Sequence, residues 1–165
     1  NYMANQMFHG KLIKYGLVNG VDYRELDVPL LKQLKEARVG IITSRGKYRN
    51  GLRLAWDGKL SKKNDILVRI AAMECIGYSA KHISVFMLTN WKIGFKECCK
   101  KLEQLYNWGV KVDDCTWNTT KREMRPHYWT RDELKMFRRM CREHNIKINF
   151  NGINPEKIAR FKYNE

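Results

Sequence analysis

Apolar residues recur along this chain in two rhythms, a helical one of about 3.6 residues and short runs with the alternation or continuity of strands. Met3, Met7, Phe8, Leu12 and Ile13 fall at helical spacing and Gly16 ends the run, which predicts a helix over roughly 3–15. Residues 20–23 predict a short strand. Asp27 followed by Pro29 predicts a capped helix start, with Leu30, Leu31, Leu34 and Ala37 as its buried stripe. Residues 39–43 are apolar and β-branched and predict a strand, followed by a polar loop over 44–50. Residues 52–57 predict the next strand. A helix over about 62–76 presents Ile66, Ile70 and Met73, and Gly77 supplies its C-cap.

The second half continues the same alternation. Residues 83–88 are almost continuously apolar, the signature of a parallel strand covered on both faces. Phe95, Cys98, Cys99, Leu102, Leu105 and Tyr106 then mark the clearest helix of the chain, closed by Gly109. Residues 110–116 predict a strand and 119–129 a long basic loop. Thr130 and Glu133 form a capping box, and Leu134, Phe137, Cys141 and His144 form the inner face of the helix it opens. Residues 146–150 alternate like a strand, and Asn154-Pro155 predicts a last short helix.

Strands alternating with helices through short connections predict an α/β fold with mostly parallel strands. A barrel segment and an open doubly wound sheet both satisfy this order. Strands that end in polar or aromatic residues favour a partial TIM-like (β/α) barrel, whose chemistry collects at the carboxyl ends of the strands. The 165 residues read as a single domain, with 119–165 as a carboxyl-terminal extension. No G-x-G-x-x-G follows a strand and no P-loop motif occurs, which removes the usual anchors of dinucleotide and nucleoside-triphosphate sites.

Charge changes the picture of partners. Thirty-two Lys and Arg stand against 17 Asp and Glu, a net charge of +15 that attracts phosphate-rich molecules. The cations are densest at Arg45, Lys47 and Arg49 and at Lys121, Arg122 and Arg125, interleaved with Tyr48, Tyr128 and Trp129. A basic module that binds nucleic acid is therefore one reading. The five cysteines are odd in number, follow no signal peptide and show no C-x-x-C spacing, so the expectation is reduced thiols in a cytoplasmic protein. Cys98 and Cys99 lie on an apolar stripe and are expected to pack in the core. No apolar run approaches the ~20 residues that span a bilayer.

Barrel logic selects the polar residues at strand ends as candidates: Asp22, Arg24, Asp57, Asn90 and Asn118. Asp22 and Arg24 alternate on one face of an extended segment. Trp56, Trp91 and Trp117 sit where an aromatic ring could stack on a base, or simply pack. Of four scattered histidines, His127 in the basic aromatic loop is the candidate substrate contact. His144 is placed at a helix carboxyl terminus, where the dipole favours positive charge.

The order Val21-Asp22, Leu30-Leu31, residues 52–57, residues 83–90 and Leu105-x-x-Trp108-Gly109-Val110 resembles the radical S-adenosylmethionine enzymes, downstream of their cluster loop. The likeness covers roughly residues 1–118 and is one of order and character rather than of a single diagnostic motif. It implies cofactors, S-adenosylmethionine and a four-iron four-sulfur cluster, with Asp22, Arg24, Asp57 and Asn90 meeting the former and Trp91, Asn118 and His127 the substrate. The C-x-x-x-C-x-x-C ligand triplet is absent from the chain, and Trp91-Lys92-Ile93-Gly94 stands where many relatives have Gly-Pro-Gly. The resemblance places the cluster in a preceding half or on a partner chain, an expectation matched by a sequence that opens on Asn1-Tyr2 rather than methionine. These 165 residues alone are expected to generate no radical.

Overall fold

The computed structural model describes residues 6–43, 46–90, 92–117 and 129–150. Its elements are β1 (Met7–Phe8), β2 (Lys11–Leu12), β3 (Tyr15–Leu17), β4 (Val21–Asp22), α1 (Val28–Glu36), β5 (Val39–Ile42), β6 (Tyr48–Asn50), β7 (Leu52–Ala55), α2 (Lys63–Cys75), β8 (Ile83–Thr89), α3 (Phe95–Asn107), β9 (Lys111–Thr116) and α4 (Arg131–Phe150).

Four parallel strands in the order β4-β7-β8-β9 carry the molecule. Leu52 and Leu54, then Ile83, Val85 and Met87, then Val112 point to one side. They are buried in one core with Ile66, Ile70 and Met73 of α2 and Cys98, Leu102 and Leu105 of α3. The intervening residues, including Arg53, Ser84, Phe86, Lys111, Asp113 and Cys115, face the opposite side. That side is more polar and only part covered, so β8 is not sandwiched between two apolar layers as its sequence suggests. A second sheet has β3 parallel to β5 and β6 antiparallel to β5. The fold is mixed α/β, and no closed barrel is present among the described residues.

Local chemistry explains the boundaries. Asp27 accepts the Leu30 N–H at 2.8 Å and starts α1. Thr130 and Glu133 form the reciprocal capping box of α4: the Thr130 N–H donates to the Glu133 carboxylate at 2.7 Å and the Glu133 N–H to Thr130 Oγ1 at 3.2 Å. Gly51 joins β6 to β7 with φ 147°, and a Cβ there would lie 1.9 Å from the His82 carbonyl oxygen, so only glycine fits.

Three expectations fail for identifiable reasons. The predicted amino-terminal helix is a hairpin, with Met7 opposite Leu12 and Phe8 opposite Lys11. Its two-residue turn, His9-Gly10, has positive φ at both positions (48° and 72°), the geometry of a tight hairpin turn. The strand expected at 146–150 is the last part of α4, because Ile148 continues the buried stripe of Phe137, Cys141 and His144. Five alternating residues cannot by themselves be told from a helix edge. The polar loop contains β6, whose backbone pairs with β5 although its side chains are mostly exposed. The last predicted helix, at Asn154-Pro155, lies outside the described residues.

The open edge of β9 is closed by a side chain. Asn145 of α4 accepts the Val112 N–H at 2.9 Å and donates to the Val112 carbonyl at 2.7 Å, imitating a further strand. Among the described residues no helix is long and apolar enough to cross a membrane.

Candidate functional site

The carboxyl ends of β4, β7, β8 and β9 gather Asp22, Asp57, Asn90 and Cys115. Asp57 follows β7 in a turn built from beneath. Lys101, fully buried on α3, donates to the carbonyls of Trp56 (2.7 Å) and Gly58 (3.1 Å), the two residues flanking Asp57. Its ammonium also lies 4.6 Å from the Trp56 ring centroid, and Trp56 is itself buried and stacked on Trp108. One turn earlier on α3, Glu97 accepts the Leu60 N–H at 2.7 Å. Burial lowers the Lys101 pKa to about 8 even with Asp57 and Glu97 nearby.

Two carboxyl groups at this end are driven apart. Asp22 accepts hydrogen bonds from the Arg24 side chain and from the Arg24 N–H at 3.0 Å, which lowers its pKa to about 2. Partial desolvation raises the Asp57 pKa, and the Asp22 charge adds to the rise, against the Lys101 charge and a hydrogen bond from the Leu88 backbone. Arg24 thus lowers the one carboxyl while desolvation raises the other, so the two differ in proton affinity. The Cys115 thiol is raised by burial and by the Asp57 charge, which places it in the same electrostatic neighbourhood.

Asp22 and Arg24 do not alternate along a strand as their spacing suggests. The chain turns into a 3₁₀ segment at Tyr23–Glu25, Asp22 caps it, and the two side chains bind each other. Asn90 is buried with φ 55°, its amide donating to the Trp117 carbonyl at 3.2 Å and accepting the Trp129 N–H at 3.1 Å. It clamps the ends of β8 and β9 to the entry of α4. Trp129 is buried, donates to the Ile93 carbonyl at 2.9 Å and packs edge-on against Phe95 and Phe137, so it offers no stacking surface. Trp91, Asn118 and His127 lie outside the described residues, as do Arg45, Lys121, Arg122, Arg125 and Tyr128.

His144 lies within α4 rather than at its end. It is buried, its Nε2 is 2.7 Å from the Val110 carbonyl oxygen, and burial lowers its pKa. Tyr106, expected on the inner stripe of α3, is exposed; Lys101 is buried there instead. Cys98 and Cys141 are buried with their thiols pushed up by desolvation, Cys98 to about 11. Among the described residues no three His, Cys, Asp or Glu side chains converge to hold a metal ion. The described thiols do not fit an iron–sulfur cluster.

At the opposite, amino end of β7, β8 and β9 lies a cleft of about 1040 Å³. The β5–β6 ribbon, the four-stranded sheet and α4 wall it. Lys47, Arg49, Arg53, Lys81 and Lys111 line it, with His82, against two carboxylates, Asp113 and Asp114. Asp113 accepts from Arg53 Nε at 2.7 Å and from Ser84 Oγ at 2.6 Å, and Asp114 lies 3.7 Å from Arg138. Lys81 and His82 lie between predicted elements and Lys111 at a predicted strand start, so only the fold brings them together.

No known family, curated protein or solved structure matches the chain. The class its geometry defines is a mixed α/β protein with a four-stranded parallel sheet and polar groups gathered at both ends of one sheet face.

Proposed function

We propose that the chain is the rear part of a radical S-adenosylmethionine-like (β/α) barrel, contributing cofactor and substrate contacts at the carboxyl ends of its strands. The observation that carries this reading is the run β7-α2-β8-α3-β9. Each strand is the parallel neighbour of the last, and the run delivers Asp57 and Cys115 to the edge where barrel chemistry collects. The iron–sulfur ligands belong, on this reading, to a preceding segment or a partner chain, and the cluster with its cofactor supplies the radical. The residues here orient and handle protons. Lys101 fixes the turn of Asp57, Arg24 holds the nearby Asp22 ionised, and Asp57 exchanges a proton or accepts a hydroxyl hydrogen bond.

Peptide mapping of the full natural protein and its copurifying partners tests the assignment, followed by titration with S-adenosylmethionine. A C-x-x-x-C-x-x-C loop is expected, together with cofactor affinity that falls about tenfold in Asp57→Asn at unchanged melting temperature. Absence of such a loop from the protein and its partners would overturn the reading. Unchanged affinity in Asp57→Asn would remove Asp57 from the site.

A further inference from the structure

The cleft at the amino end of the sheet is lined by five Lys and Arg against two carboxylates among the described residues. Among the described residues Lys47, Arg49, Lys81 and Lys111 form no ion pair. Arg53, by contrast, is held by Asp113 and by the Val18 carbonyl. Burial lowers the Lys111 pKa and the charges of Arg49 and Lys81 lower it further, while Asp113 opposes them; His82 is lowered by burial and then by Lys81 and Lys111. These groups are therefore near one another and their charges repel. The cations come from β6 and the residue before it, the turn before β8 and the start of β9, three segments that meet only in the folded chain. Asn145 and Asn149 of α4 and the Ser84 hydroxyl add polar groups to the lining, and Phe86 adds an aromatic ring.

We propose that this cleft is a binding site for a phosphate-bearing ligand, with Arg49, Lys81 and Lys111 as the phosphate-contacting residues. A compact anion relieves the mutual repulsion of the three cations. Arg49 offers a planar fork for paired phosphate oxygens, and the lysines act as point charges. Pyrophosphate chains and nucleic-acid backbones share this chemistry. The site is separate from the carboxyl edge and does not depend on the barrel assignment.

The test uses tripolyphosphate and a single-stranded oligonucleotide of about twelve nucleotides, a length within the usual site sizes of single-strand binders. Calorimetry with the first and fluorescence anisotropy with the second are run on the protein, on Lys81→Gln/Lys111→Gln and on Lys62→Gln/Lys135→Gln. The last pair removes equal charge outside the cleft. Tripolyphosphate is expected to bind one per chain, with affinity falling about tenfold in the cleft variant and less than about twofold in the other. If the oligonucleotide competes and binds more tightly, the ligand is a strand. In that case two lost contacts reduce the slope of log affinity against log salt by about 1.4. If it does not compete, the ligand is a small phosphorylated molecule. Equal losses in both variants, or no saturable binding of either probe, would overturn the proposal. Equal melting temperatures of the two variants would show that folding is not what changed.

Discussion

The two ends of one parallel sheet treat their polar residues in opposite ways. At the carboxyl end almost every polar group is engaged within the fold. Asp22 holds Arg24, Asn90 bonds two backbone groups, and Lys101 holds the carbonyls either side of Asp57. At the amino end Arg49, Lys81 and Lys111 form no ion pair among the described residues, and the two carboxylates lining the cleft with them, Asp113 and Asp114, are engaged by Arg53 and Arg138. A buried polar group with partners supports the fold, whereas crowded like charges cost stability and have a use only when something else neutralises them. Asp22 and Asn90, polar residues at strand ends, thus hold the architecture together.

The largest effect belongs to Lys101. Lys101→Met keeps the bulk but removes the donor to the buried Trp56 carbonyl and to the Gly58 carbonyl, and should cost about 2–4 kcal/mol in denaturant unfolding. The pH dependence has a definite sign. The folded-state pKa of Lys101 lies at about 8 against 10.5 for the free side chain, so between those values the unfolded chain binds more protons. The Lys101 contribution to stability therefore rises with pH across that window, by roughly 3 kcal/mol. Cys98 acts oppositely: its pKa rises from 9.0 to about 11, so stability from its neutral thiol is lost as pH climbs between them. The difference between wild type and Lys101→Met isolates the lysine, and a pH-independent difference would contradict its burial as an ammonium.

Asn90 comes next. Asn90→Ala removes both amide bonds and places alanine at positive φ, for a loss of about 2–3 kcal/mol, while Asn90→Gly relieves the backbone and should cost about 1 kcal/mol less. Equal losses would mean that hydrogen bonding alone matters there. Asp113→Asn should destabilise by about 1–2 kcal/mol, because it weakens the hold on the part-buried Arg53, and should at the same time tighten tripolyphosphate binding. A destabilised variant with weaker phosphate binding would break the contrast between the two ends. The smallest change belongs to the cleft lysines. Lys81→Gln and Lys111→Gln should leave thermal stability within about 0.5 kcal/mol, or raise it, since the charges they remove repel one another. A clear loss would make them structural.

Much of the fold was legible in the sequence because the signals were redundant. Asp27 with Pro29, the apolar run Ile83–Leu88 and the Thr130–Glu133 capping box each combine periodicity with a cap or a boundary. At residues 6–13 helical spacing competes with the Gly10 turn signal, and at the end of α4 five residues cannot distinguish two periods. Lys101 was legible in principle, as a cation one step from Cys98 and Leu102 on an otherwise apolar stripe. The pairing of Asp22 with Arg24 follows from the 3₁₀ turn at Tyr23–Glu25, which two-residue spacing does not reveal. Lys81 and Lys111 could not have been linked from spacing, since thirty positions separate them and only the parallel register of β8 and β9 makes them neighbours.

The most direct test of the two-ended account is a backbone amide NMR titration of the protein with tripolyphosphate and, separately, with S-adenosylmethionine. The account predicts that tripolyphosphate shifts resonances of Arg49, Lys81, His82 and Lys111, and that S-adenosylmethionine shifts those around Asp22, Asp57 and Cys115. Tripolyphosphate shifts scattered over all exposed lysines, or both ligands acting at one end, would contradict it.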